Sequence, residues 1–98
     1  MSNPVTVHVD FHAQPDKAQA LREWLETALP MIHGAEGCSG ARLLQSATDA
    51  THLRLVEQWS SIERHEAYVG ELVGEGKMDE VMALASAPPA TSYYEARS

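Results

Sequence analysis

The stretch Leu55-Val56-Glu57-Gln58-Trp59-Ser60-Ser61-Ile62-Glu63-Arg64-His65-Glu66-Ala67-Tyr68 reads as a strand that turns directly into a helix. Leu53, Leu55, Glu57 and Trp59 share one strand face at period two. Ser60 is placed as the helix N-cap, and Glu63, three residues on, completes a capping box. Ile62, Glu66, Val69 and Val73 then run down one helix face, with His65 and Leu72 on its flank. A tryptophan therefore leaves the strand where a helix carrying His65 and Tyr68 begins. Such a junction suits the wall of an apolar pocket with a few polar groups, the usual form of a small-molecule site.

Working outward, Val5, Val7, Val9 and Phe11 alternate with Thr6, His8, Asp10 and His12, which gives a strand with one apolar and one polar face. Pro15 fits the first turn of a helix. Ala18, Leu21, Leu25, Ala28, Leu29 and Ile32 form its apolar stripe, with Trp24 beside it. Pro30 removes a backbone hydrogen bond and predicts a kink or a change of helix near Leu29. Gly34-Ala35-Glu36-Gly37-Cys38-Ser39-Gly40 is a turn, Ala41 to Thr48 a second strand, and Asp49-Ala50-Thr51 a hairpin loop into a third strand, His52 to Trp59. A helix from Ser61, a short helix from Met78 to Ala85 and a last strand from Thr91 to Ala96 complete the order β-α-β-β-α-(α)-β.

That order is the ferredoxin-like split unit, an α+β fold with helices on one face of a four-stranded antiparallel sheet. The opposite face carries the apolar Leu44 and Val56 among Thr6, His8, Arg42 and Arg54. A second copy of the sheet is the economical cover, so a homodimer is expected.

The 98 residues fit a single domain spanning 1–98, with a small core. A net charge of −7 argues against a nucleic-acid surface and against adsorption to anionic lipid, so neither partner is expected. No apolar run approaches the roughly 18 residues of a membrane span. Met1-Ser2-Asn3-Pro4 lacks the basic and apolar regions of a secretory leader. With Cys38 as the single cysteine, a reducing cytoplasm is the expected location.

The element order, the turn Glu36-Gly37-Cys38-Ser39-Gly40, and Glu57-Gln58-Trp59-Ser60-Ser61 followed by His65-Glu66-Ala67-Tyr68 resemble the antibiotic biosynthesis monooxygenase (ABM) family. Pro88 or Pro89 before a tyrosine-bearing last strand also fits. The resemblance implies a dimeric α+β barrel with a pocket in each subunit between sheet and helices. It implies, for some members, oxygenation of anthrone-like polyketides without metal or flavin; other members degrade haem or act on quorum-signal breakdown products. The haem-degrading branch is the least similar. Val9 and Tyr68 stand where that branch has its Asn and Trp, and no His follows Tyr68. In the polyketide-oxidising branch a strand-end Trp is followed six positions on by a polar residue; here these are Trp59 and His65. The Asn four residues before that Trp is Leu55 here, a departure that bears on the substrate.

The candidate catalytic residues are accordingly His65, Tyr68 and Trp59. His65 has an ordinary pKa near ~6.5, suited to taking a proton from a phenol or a carbon acid. Its structural alternative is a hydrogen-bonded or wet histidine at a helix edge. Tyr68 suits donation to a substrate oxygen, or an edge or dimer contact. Trp59 suits stacking on a flat substrate, or a core position at the sheet end. Val9, Phe11, Trp24, Leu55 and Glu57 are the expected pocket residues. His8, Asp10 and His12 share a strand side, but residues two apart are about 6.6 Å apart along a strand and converge poorly on one metal ion. A polar layer between packed sheets is the better account, and no metal is expected. No phosphate-binding loop is present, so no nucleotide cofactor is expected. Cys38 has no basic neighbour nearer than Arg42 and is not an activated thiolate.

The expected function is cofactor-independent monooxygenation of a small aromatic substrate, phenolic, anthrone- or quinol-like, by proton abstraction and reaction with O2. A non-catalytic binding module, or an isomerase or cyclase on the same scaffold, is the alternative.

Overall fold

Four strands and three helices make up the fold in a computed structural model that describes residues 3–97. The elements are β1 (Val5–His12), α1 (Ala18–His33), β2 (Cys38–Gln45), β3 (His52–Trp59), α2 (Ile62–Gly74), α3 (Lys77–Met82) and β4 (Ala90–Tyr94). Met1, Ser2 and Ser98 lie outside the described residues, and with the first two lies half of the stretch read above as lacking a leader. Among the described residues, no helix is long and apolar enough to cross a membrane.

The strands form one antiparallel sheet in the order β2-β3-β1-β4. The two central strands pair Val5 with Trp59, Val7 with Glu57, Val9 with Leu55 and Phe11 with Leu53. This register puts every residue of the inner stripe opposite another, since a slip by one would turn the whole set to the other face. The core gathers on that side: Val7, Leu21 and Leu53 are wholly buried, and Leu25, Ile32 and Val81 nearly so. Burying a side chain of this size contributes about 1.5–3 kcal/mol. The expected ferredoxin-like α+β fold is the observed one.

Several local expectations are corrected. Pro15 lies in the turn before α1, and the helix starts at Ala18. The helix then continues through Pro30 to His33 as a single element, so there is no change of helix near Leu29. Pro30 costs one backbone bond in the last turn, where few carbonyls remain to be paired downstream. The helix cap is Ser61, whose hydroxyl accepts from Arg64 N at 3.2 Å, and Ser60 instead donates its backbone N–H to Gly37 O at 2.8 Å. Glu63 is thus a first-turn acid beside the helix dipole, not a capping-box partner. The inward face of α2 is rotated from the expected one. His65 is its sole buried residue, while Glu66 is exposed and Val73 is 61% exposed.

β2 begins three residues earlier than expected, with a register irregularity between Cys38 and Gly40. The strand can start there because Gly37 makes the corner alone. Its φ is +93°, and a Cβ added to it would lie 2.9 Å from Arg64 Cβ and Cγ. β4 is shifted one residue early and ends at Tyr94, and the short helix occupies Lys77–Met82. The hairpin loop is held by Asp49, whose Oδ1 accepts from Thr51 N at 3.0 Å and from the Thr51 hydroxyl at 2.6 Å.

Gly37→Ala is expected to lose roughly 1–3 kcal/mol, because a left-handed φ and a close approach oppose the methyl together. Gly70, in the exposed middle of α2 with nothing within 4 Å of an added Cβ, should gain roughly 0.5–1 kcal/mol on substitution by Ala. Urea unfolding of the two variants beside the native chain checks both signs.

Candidate functional site

The inner sheet face and the helices enclose a cavity of about 220 Å³. Val9, Phe11 and Leu55 form its sheet wall, Trp24, Leu25, Ala28, Met31 and Ile32 its α1 wall, and His65, Tyr68, Val69 and Leu72 its α2 wall. Met78 and Val81 of α3 close one side. Trp24 holds α3 in place, its Nε1–H donating to Glu80 Oε1 at 3.1 Å. The lining is almost wholly aliphatic or aromatic, and no lysine or arginine belongs to it.

Polar groups collect at one end. Glu57 is 3% exposed and His65 likewise 3%. The Trp59 indole N–H donates to Glu57 Oε1 at 2.7 Å. His65 Nε2 lies 3.8 Å from the same oxygen, and His65 Nδ1 is 2.9 Å from the Tyr93 hydroxyl. The Trp59 ring stands edge-on to His65 and tilted against Tyr68, each with centroids 5.5 Å apart. Burial pushes the Glu57 carboxyl above its ordinary pKa, and the Trp59 hydrogen bond offsets this only partly. Burial also pushes His65 below its ordinary value and Tyr68 above it, with the nearby Glu57 charge adding to the latter. His65 is therefore a neutral imidazole at pH 7. An ionised Glu57 favours the tautomer with the proton on Nε2, in which Nδ1 accepts from the Tyr93 O–H.

Val9, Phe11, Trp24, Leu55, Glu57, His65 and Tyr68 all line the cavity. Trp59 does not. It is 1% exposed and sealed behind the wall, so it meets Glu57 and the rings of His65 and Tyr68 rather than a ligand. His65 is likewise not at a helix flank; it is central to the inward face. Tyr93 was missed as a partner of the site. Its only sequence signal is a place on the inner face of the last strand, where Tyr93 pairs with Val7.

His8, Asp10 and His12 are on the outer face, where neighbouring strands engage them. Asp10 Oδ1 meets His52 Nε2 and Arg54 Nε, each at 2.7 Å. Partial burial alone would raise the Asp10 pKa, but these two partners hold it below the ordinary value. His12 stacks on His52 with centroids 4.5 Å apart, and His8 packs against Tyr94. Cys38 donates weakly to Gly40 O at 3.4 Å, and burial raises its pKa, the opposite of an activated thiol.

The model of one protein family, antibiotic biosynthesis monooxygenase, matches residues 4–71, which include the whole β3–α2 junction and the Glu57–His65 end of the cavity. The chain belongs to the ABM family. Several solved structures share its fold over nearly the full length. Rv0793 from Mycobacterium tuberculosis is 25% identical with a TM-score of 0.84, over 98% of this chain and 97% of that one. PA3566 from Pseudomonas aeruginosa is 21% identical with a TM-score of 0.82, over 100% and 98%. A point mutant of SnoaB, a cofactor-independent oxygenase from Streptomyces nogalater, is 11% identical with a TM-score of 0.81, over 99% and 96%. No curated protein matches the sequence of this ABM domain.

Two stability effects follow from the buried acid and its donor. Trp59→Ala should cost roughly 3–5 kcal/mol, the usual loss for a buried aromatic ring. Glu57→Gln should behave in the opposite sense above the ordinary glutamate range. A carboxyl whose folded pKa is raised binds its proton more tightly in the native state, so native stability falls as pH rises through the interval between the unfolded and folded values. The glutamine variant lacks that titration. Its stability relative to the native chain should therefore rise as pH goes up from about 4, as read by urea unfolding at each pH.

Proposed function

We propose that this ABM protein is a cofactor-independent monooxygenase acting on a small, uncharged aromatic substrate of the phenolic or anthrone-like class. The observation that supports it is the cavity itself: apolar on every side, free of cationic groups, and furnished at one end with Glu57, His65 and Tyr68. A cavity of about 150 Å³ accommodates benzene, so about 220 Å³ suits one or two fused rings and leaves a three-ring anthrone tightly held or protruding.

The substrate loses a proton to the polar end of the cavity. Its anion passes one electron to O2, and the radical pair combines to a peroxide anion that recovers a proton. Loss of the remaining hydrogen on that carbon breaks the O–O bond, leaving a quinone carbonyl and water. The substrate supplies the electrons, so the sum is one substrate and one O2 to one quinone and one water. The protein contributes orientation, exclusion of water and proton transfer. Tyr68, a high-pKa phenol on the wall, is the donor for the oxygen on which the anionic charge settles.

A second copy of the chain belongs to the same reading. The outer face of the sheet leaves Leu44 42% and Tyr94 53% exposed beside the Asp10 cluster. A homodimer would cover them, and sedimentation at micromolar concentration should then give twice the mass of the chain; a stable folded monomer would exclude it.

The activity is tested by oxygen uptake with 1,5-dihydroxynaphthalene and with anthrone. One O2 should be consumed per quinone formed, and label from 18O2 should appear in the new carbonyl. Tyr68→Phe, which keeps the ring, should lower the rate about 10–100-fold, as expected for losing one hydrogen bond to a charged oxygen. Turnover that proceeds equally under argon would make the protein an isomerase, and binding without turnover would make it a carrier.

A further inference from the structure

Glu57 is the buried charge-bearing side chain that the reaction above leaves without a role of its own. A carboxylate placed in an apolar cavity carries a desolvation cost, and nothing cationic stands against it. Its Oε1 is occupied by the Trp59 N–H at 2.7 Å. Its Oε2 accepts no hydrogen bond among the described residues, and it is not among the atoms sealed from contact. The free oxygen therefore faces the cavity.

The histidine beside it is differently disposed. His65 Nδ1 is engaged by the Tyr93 hydroxyl at 2.9 Å, and Nε2 lies 3.8 Å from Glu57 Oε1, where an ionised carboxylate favours the tautomer with its proton on Nε2. In that tautomer neither nitrogen offers a lone pair to a bound molecule. A base needs a free lone pair within hydrogen-bond reach of the proton it removes, and only the carboxylate presents one.

We infer that Glu57, through Oε2, is the proton acceptor of this cavity, and that His65 and Trp59 are positioning residues that fix its rotamer and hold its charge. This rests on the reading of the cavity as a place where substrate is deprotonated, and it specifies the substrate further. The substrate must be neutral, because a second negative charge beside Glu57 has no cation to meet. It must also carry an acidic C–H or O–H at the end that enters first. In the step itself the substrate C–H bond breaks, its electron pair delocalises onto the adjoining carbonyl oxygen, and an O–H bond forms on Oε2. The same proton is later returned to the peroxide. Burial raises the pKa of the carboxyl, which strengthens it as a base. The titratable groups facing it are His65, Tyr68, Tyr93 and Cys38, none of them a permanent cation.

Proton abstraction is measurable without oxygen, which separates this inference from the oxygenase reading. The probes are 2-indanone and anthrone, neutral carbon acids, incubated in D2O under argon, with deuterium uptake followed by mass spectrometry. The native protein should accelerate exchange. Glu57→Gln should lower the rate about 10²–10⁴-fold, with its fold verified by circular dichroism, and Glu57→Asp should recover part of the loss. His65→Gln should lose less than about tenfold, the smaller effect expected of a group that does not itself take the proton. Trp59→Phe removes the hydrogen bond that favours the ionised carboxyl, so the acid limb of its exchange profile should move to higher pH, which a purely structural defect would not do. Native-rate exchange by folded Glu57→Gln would overturn the assignment. So would loss of exchange in His65→Gln but not in Glu57→Gln, and so would a native protein that exchanges both probes only at the background rate. If exchange depends on Glu57 and yet no probe consumes O2 in air, the base assignment stands and the oxygenase reading falls.

Discussion

The site depends on one short contact, the indole N–H of Trp59 held 2.7 Å from the Glu57 carboxylate. The two residues are two apart on β3, on the same face, and both are buried. Without the indole the carboxylate would stand in an apolar layer with no donor in hydrogen-bond contact. With it, one oxygen is anchored and the other is left open. The tryptophan is held in turn by its pairing with Val5 across the sheet and by the rings of His65 and Tyr68. The same ring that closes the end of the core thereby fixes the polar end of the cavity.

The two faces of the sheet handle charge in opposite ways. On the outer face Asp10 is met by Arg54 and His52, and its pKa falls. On the inner face Glu57 has no cationic partner, and its pKa rises. The difference is one of environment, since both are carboxylates on central strands. A paired, partly exposed carboxylate stays ionised and contributes to structure. An unpaired one in an apolar cavity is an energetic liability unless it acts on something that enters.

Membership of the ABM family and a fold shared with solved structures give this chain a scaffold, not a substrate. Specificity is carried by what the cavity admits. Its walls include the α1 face around Trp24 and Met31, the short α3, and the lead into β4 at Pro89. The polar end comes from the β3–α2 junction, where register and capping leave little freedom.

Much of this was legible in the sequence. The alternation of Val5, Val7, Val9 and Phe11, and of Leu53, Leu55, Glu57 and Trp59, marked both central strands and their inner faces, because a strand has a strict period of two. Helix rotation was not legible to that precision. Ile62, His65, Val69 and Leu72 and the alternative Ile62, Glu66, Val69 and Val73 both satisfy helical spacing and are nearly equal in hydropathy. Only packing chose His65, because Tyr93 on β4 stands ready to satisfy its buried nitrogen. For the same reason the sequence determined that Trp59 and Glu57 share a side. The tertiary structure decided that the tryptophan is sealed and the carboxylate faces the cavity, since which atom meets empty space depends on what every other element packs against.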